Sequence, residues 1–247
     1  MLEKYIVNFN KKTQEQTDLN LFLNEVPYYF MILTNLSLTE EGQKKFLNIE
    51  NENIKGIVFM KVLDKFFEYI YNEEFNFCSS LLANISSIKE GRQMILEFKI
   101  FKIFLLHMDR LNNFKITNML RMIRNCAFEF ETFKEELLVN DAKLFSLLIK
   151  ILILANVTEK KIIVDTGIKH IDEIYFTHFK QEIAFNEKEV INDLIIDIFL
   201  TLTNDEGAVL AMKEKGLYKA LTYVKNNSTK DENLNDRLFV ITNYLEN

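Results

Sequence analysis

The 247-residue chain has one proline, six glycines, no tryptophan and three histidines. Sandwiches and barrels need many turns rich in glycine and proline, so their scarcity argues against an all-β fold. There are only two cysteines, Cys78 and Cys126, and both sit inside apolar helical patterns. They read as reduced, buried thiols of an intracellular protein. The net charge is −6 and no lysine/arginine block occurs, which makes a nucleic-acid backbone a poor partner. No apolar run reaches the roughly 18 residues that a membrane span requires. The longest, LFSLLIKILILA at 144–155, is interrupted by Ser146 and Lys150 and reads as a buried helix. The opening MLEKYIVNFNKK has no apolar signal core, so a cytoplasmic chain without a membrane partner is expected.

Catalytic signatures are also missing. No G-x-G-x-x-G, Walker loop, G-x-S-x-G or HExxH occurs, and neither cysteine shares a motif with a histidine. A non-enzymatic protein without cofactor or metal is expected. His170 and His178 lie near Asp172 and Glu173 but read as solvated connector residues, not metal ligands. What the chain does have is abundant Leu, Ile, Phe, Lys and Glu, with 48% apolar and 27% charged residues. That is the composition of a folded, helix-rich protein.

One phrase occurs twice. Residues 33–46 read LTNLSLTEEGQKKF and residues 82–95 read LANISSIKEGRQMI. In both, a glycine follows the asparagine by seven: Asn35 to Gly42 and Asn84 to Gly91. The Leu/Ile-x-Asn element returns at Asn125, Asn204 and Asn243, with spacings of 49, 41, 79 and 39. Three of these spacings suit one armadillo- or HEAT-type unit of roughly 40–47 residues, and the fourth is nearly two units. Leu154-Ala155-Asn156 falls only 31 residues after Asn125 and reads as a chance match.

Each signature closes one helical pattern and opens another. Phe75, Cys78, Leu81, Leu82 and Ile85 recur at helical steps before the turn. Ser87–Glu90, Ser37–Glu40 and Thr203–Glu206 have the spacing of capping boxes. The pattern predicts a short helix at Glu40–Asn48, a long one at Ile57–Tyr71 and another at Glu74–Ser86. The predicted fold is therefore all-α: a right-handed armadillo/HEAT-like helical repeat solenoid forming one domain over 1–247. It has about five units, near 1–38 (partial), 39–87, 88–128, 129–204 and 205–247, with an insertion near 157–188. The aromatic stripe Phe66, Phe67, Tyr69 and Tyr71 reads as core.

In such a plan the last helix of each unit lines a groove, and residues four apart share its face. The candidate protein-binding residues are thus Asn35, Asn84, Asn125, Asn204 and Asn243, with Met31, Ser80, Arg121, Leu200 and Phe239 four back, and Arg124. An asparagine amide can both donate to and accept from an extended client backbone, and arginine can clamp an acidic client. Each asparagine could instead cap its own helix or tie neighbouring units, and the arginines could pair with Glu129 or Glu131. Arg92 is expected to fix a helix start to the preceding unit.

Several of these residues resemble the Hgh family of eukaryotic armadillo-like proteins. Leu82-Ala83-Asn84-Ile85-Ser86 followed by Gly91-Arg92 is similar to that family's LLANLSQ…GR stretch. Arg124-Asn125-Cys126-Ala127-Phe128 resembles its RNCCF signature, with alanine for the second cysteine. The order Ile171-Asp172-Glu173, Glu206-Gly207, Gly216-Leu217-Tyr218 and Asn243 follows the family's C-terminal third. The resemblance implies a cytosolic chaperone that binds incompletely folded translation elongation factor 2, the ribosomal translocase. It also implies links to the cytosolic chaperonin and the Hsp90 machinery. The alternative is a general armadillo-type scaffold or transport adaptor for another client.

Overall fold

A computed structural model describes residues 27–28, 30–47, 76–98, 100, 113–129, 143–156, 185–214, 216–227 and 232–246. Among these residues all regular structure is α-helical and no strand occurs, so the all-α expectation holds. The chain divides into two compact units, 1–100 and 101–247. The expected Ile57–Tyr71 helix with its aromatic stripe, the three histidines and residues 157–184 lie outside the described residues.

In the first unit, residues 30–36 are helical. They are followed by α1 (Glu40–Leu47), α2 (Asn76–Ile85) and α3 (Lys89–Glu97). α2 buries Cys78, Leu81, Leu82 and Ile85, the stripe that its spacing predicts. On α1 the pairs Glu40–Lys44 and Glu41–Lys45 lie four apart on the solvent side. Hydrogen bonding to each lysine, then its charge, holds the Glu40 and Glu41 carboxyls below their ordinary range.

The twice-written phrase folds twice into one turn. Ser37 N–H bonds Leu33 O at 2.9 Å, and Ser86 N–H bonds Leu82 O at 3.0 Å. The serine hydroxyls donate back three residues, to Thr34 O and Ala83 O, each at 2.7 Å. This corrects the capping-box expectation. Ser37 closes the outgoing helix, and the N-cap of the next is Thr39, whose Oγ1 accepts from Gly42 N–H at 3.1 Å. In the second copy the N-cap is Ile88, which has no side-chain oxygen to offer. Both glycines are sterically required. A Cβ on Gly42 would lie 1.9 Å from Leu36 O, and one on Gly91 2.0 Å from Ile85 O. That explains the fixed asparagine–glycine spacing: the new helix crosses against the last carbonyl of the old one, where only hydrogen fits.

The second unit contains α4 (Asn113–Ala127), α5 (Lys143–Asn156), α6 (Phe185–Leu202), α7 (Glu206–Glu214), α8 (Leu217–Asn227) and α9 (Glu232–Glu246). α5 is apolar on almost every side and is correspondingly buried, as the run at 144–155 predicts. Lys150 is its half-buried exception, and burial pushes its ammonium pKa down. α6 packs against α4, α5 and α9, while α8 packs against α5 and α9. Phe145 of α5 and Phe199 of α6 stack with ring centroids 6.4 Å apart. α6 begins at Phe185, inside the insertion expected to reach 188. Residues 187–190 of its opening turns are half-buried or exposed and burial is complete at Ile191, so little apolar periodicity marks this start. Gly216, at φ 70, takes the left-handed conformation that reverses the chain between α7 and α8.

Candidate functional site

The asparagines predicted to form one ladder do different things. In the first unit, Asn84 Nδ2 donates to Thr34 O at 3.2 Å and to Ser37 Oγ at 3.0 Å. Thr34 Oγ1 answers by donating to Phe77 O at 3.0 Å, and Ser87 Oγ donates to Gln43 Oε1 at 3.2 Å. The second copy of the turn is thereby stitched to the first. Asn35 is exposed and Ser80 half-buried, and Met31 is 37% exposed. Arg92 lies in the first turn of α3, and its guanidinium donates back to Ser86 O at 3.4 Å and Ser87 O at 3.0 Å. These are the last residues of the preceding unit as the sequence delimits it, in line with its expected role at the helix start. Gln43 occupies the matching place in the first copy and donates to Ser37 O at 2.8 Å.

In the second unit, Asn125 keeps the register of the first two copies. Its carbonyl accepts from Phe128 N–H, as that of Asn84 does from Ser87 N–H. Asn204 does not keep it. In the turn after α6, Thr203 is the hydroxyl equivalent of Ser37 and Ser86, donating to Leu200 O at 2.7 Å. The N-cap is Asp205, which accepts from Ala208 N–H at 2.9 Å. That registration puts Thr201 at the place of Asn35 and Asn84, and leaves exposed Asn204 donating to Thr201 O at 3.2 Å. Leu200 and Asn243 are half-buried. Phe239 is 54% exposed, with the Lys225 ammonium 5.7 Å from its ring centroid.

The asparagine read as a chance match is the most deeply engaged. Asn156 ends α5, donates to Leu152 O at 2.8 Å and exchanges amide hydrogen bonds of 2.8 and 3.0 Å with Asn192 of α6. Both are buried. A reciprocal amide pair satisfies polar groups that would be costly alone in that interior.

Arg121 and Arg124 come together on an open groove of about 510 Å³ between α4, α6 and α9. Each helix presents neighbours three or four apart, the spacing that shares a helical face. α4 supplies the two arginines, and α9 supplies Asn233 and Arg237. α6 supplies Val190, Asp193, Leu194 and Asp197, while Ile191, Ile195 and Ile198 face the core. Arg237 binds Asp193 and also Asp197, the latter at 2.6 Å. Arg124 lies 3.8 Å from Asp197, on the helix 73 residues further on; Glu131, one of its expected partners, lies outside the described residues. Arg121 is exposed, and its guanidinium donates a 3.4 Å hydrogen bond to Asn118 Oδ1. Sequence reading missed Arg237, Asp193 and Asp197, because their pairing spans 40 or more residues and no local motif encodes it. Asn125, Asn204, Phe239 and Asn243 do not line this groove.

Among the described residues, no group of three or more His, Cys, Asp or Glu is placed to hold a metal ion, and no helix is long and apolar enough to cross a membrane. The family described as a domain of unknown function (DUF383) matches residues 24–166. No curated protein matches the chain.

Proposed function

This chain belongs to the DUF383 family, which matches more than half its length, and we propose that it is a non-enzymatic chaperone adaptor in the cytoplasm. Its client on this reading is incompletely folded translation elongation factor 2, held together with the cytosolic chaperonin and Hsp90 machinery. The fold proposed to carry this role is a right-handed armadillo/HEAT-like solenoid. The observation that supports it is the stitched pair of turns. Asn84 bonds the turn of the preceding copy, and Gly42 and Gly91 make the same close crossing. Units that bury their faces only against neighbours need such ties between equivalent positions.

The client assignment comes from the resemblance of Leu82–Ser86, Gly91-Arg92 and Arg124–Phe128 to the Hgh family, since function belongs to sites and not to folds. The groove of α4, α6 and α9 offers charged groups beside Val190 and Leu194, a surface suited to a protein segment. A general armadillo-type scaffold or transport adaptor would use the same groove for another client. Purified elongation factor 2, diluted from denaturant into buffer with this protein, separates the two. A stable complex with the unfolded or partly folded factor, and a higher yield of native factor once chaperonin is added, is expected. No complex with the factor in any folding state would contradict the reading.

A further inference from the structure

We infer that the α4–α6–α9 groove recognises a carboxylate-bearing extended segment of a protein partner, with Arg121 as the clamp. The inference rests on the client-binding reading above and adds the chemistry of the segment bound.

The groove carries three guanidinium groups against two carboxylates. Both carboxylates are engaged: Asp193 by Arg237, and Asp197 by Arg237 and Arg124. The remaining cation is Arg121, which among the described residues has no carboxylate partner and contacts a neutral amide at 3.4 Å. Its Asn118 neighbour is buried, so the guanidinium is oriented from its base while its outer face stays open. A planar group with five donors and one excess positive charge suits a carboxylate, which it can bind through two parallel hydrogen bonds.

The rest of the groove defines what accompanies that carboxylate. Leu194 is buried at the floor and Val190 is 39% exposed beside it, one turn away on α6. A segment that places an acidic side chain on Arg121 can lay an apolar neighbour against these two residues. The Asp193 and Asp197 carboxylates repel a second acidic group along α6 and so favour an apolar one there. A lysine-bearing segment meets the opposite situation, because its ammonium faces the uncompensated Arg121 and finds both aspartates already paired.

The test uses the full chain and two fluorescently labelled peptides, one alternating glutamate with leucine and the other lysine with leucine, titrated by anisotropy. The acidic peptide is expected to bind, more weakly as salt is raised, and the basic one to bind at least tenfold less tightly. Arg121→Gln should lose about tenfold or more of the acidic peptide's affinity, as loss of a charge-assisted contact does. Its melting temperature should not move, because the side chain is exposed. Arg121→Glu should invert the preference between the peptides. Equal binding of both peptides, or undiminished acidic binding by a normally melting Arg121→Gln, would overturn the inference. Elongation factor 2 in the same assay keeps the two readings apart. Capture of the factor that is indifferent to Arg121→Gln and to the acidic peptide overturns the groove chemistry and leaves the client standing. Acidic-peptide binding that depends on Arg121, with no capture of the factor, does the reverse.

Discussion

The turns at 37–39 and 86–88 in the first unit and the turn at 203–205 in the second have one backbone pattern and two solutions. In all three a hydroxyl, that of Ser37, Ser86 or Thr203, donates to the carbonyl three residues back. The first two then bring in a helix at the distance of a bare Cα, at Gly42 and Gly91. The third carries Ala208 in that place, fully buried, and so accommodates a Cβ. The first unit joins its copies with a neutral amide, Asn84. The second joins α6 to α9 and α4 through the charges of Arg237, Asp193, Asp197 and Arg124. The closing hydroxyl is therefore common to these three turns and the close glycine crossing is local to the first two, whereas the turn after α4, where Asn125 holds the same register, has Ala127 in the hydroxyl's place.

The largest expected effect probes the crossing. Gly91→Ala forces a Cβ against a backbone carbonyl that cannot rotate away, and should destabilise by about 3 kcal/mol, the upper end of ordinary overpacking. The reverse change in the looser turn, Ala208→Gly, should cost only about 1 kcal/mol of helix propensity, plus a small loss of packing. Denaturant midpoints at constant slope would measure both. Equal costs would mean that the two crossings do not differ in tightness.

Next in size is the buried amide pair of the second unit. Asn156→Leu alone strands the Asn192 amide in the interior and should cost about 1–3 kcal/mol. The double change Asn156→Leu with Asn192→Leu removes both polar groups and should recover much of that loss. Thermal melts of the two single variants and the double variant form the cycle. Strict additivity would contradict a direct pair.

Much of this was legible in the sequence, though not in the residue that seemed to carry it. The helical class, the bounds of α1 and α2 and the burial of α5 and both cysteines follow from apolar spacing and the near absence of glycine and proline. The repeat was legible through asparagine, which holds the register at 35, 84 and 125. It misleads at 204, because there the closing hydroxyl, Thr203, precedes the asparagine by one residue, whereas Ser37 and Ser86 follow Asn35 and Asn84 by two. Serines in a capping-box spacing look the same whether they cap the helix ahead or close the helix behind; only the hydrogen bonds tell them apart. Arg121 and Arg124 could be picked out because they flank a signature on one helix. Arg237 and the two aspartates could not, since their meeting depends on how α4 and α9 pack against α6.

Smaller effects sharpen the register argument. Asn84→Ala removes two bonds between copies and should cost about 1–2 kcal/mol, whereas Asn204→Ala, exposed and bonded within its own turn, should stay within about 0.5 kcal/mol. Differential scanning calorimetry on both variants would check the ordering, and similar melting shifts would undo it. The smallest effect is at alkaline pH. Tyr218 donates to Glu246 at 2.6 Å, and that hydrogen bond, then the carboxylate's charge, raises the phenol pKa above its ordinary 10.0. A raised folded-state pKa stabilises below the unfolded value and stops doing so as pH climbs through the folded one. Wild type should therefore lose slightly more stability than Tyr218→Phe as pH rises past about 10. Parallel alkaline limbs in pH-dependent melts would show that the contact does not persist in solution.

The central claim is a division of labour: the asparagine of the stitched turns holds the scaffold, and the arginine groove holds the partner. Melting temperature and affinity for partly folded elongation factor 2, measured together on Asn84→Ala and Arg121→Gln, test it most directly. The account predicts crossed results. Asn84→Ala should lower the melting temperature and leave the affinity of the folded protein unchanged, while Arg121→Gln should leave melting unchanged and weaken binding about tenfold. Asn84→Ala abolishing binding while melting like wild type, or Arg121→Gln lowering stability without touching affinity, would contradict it.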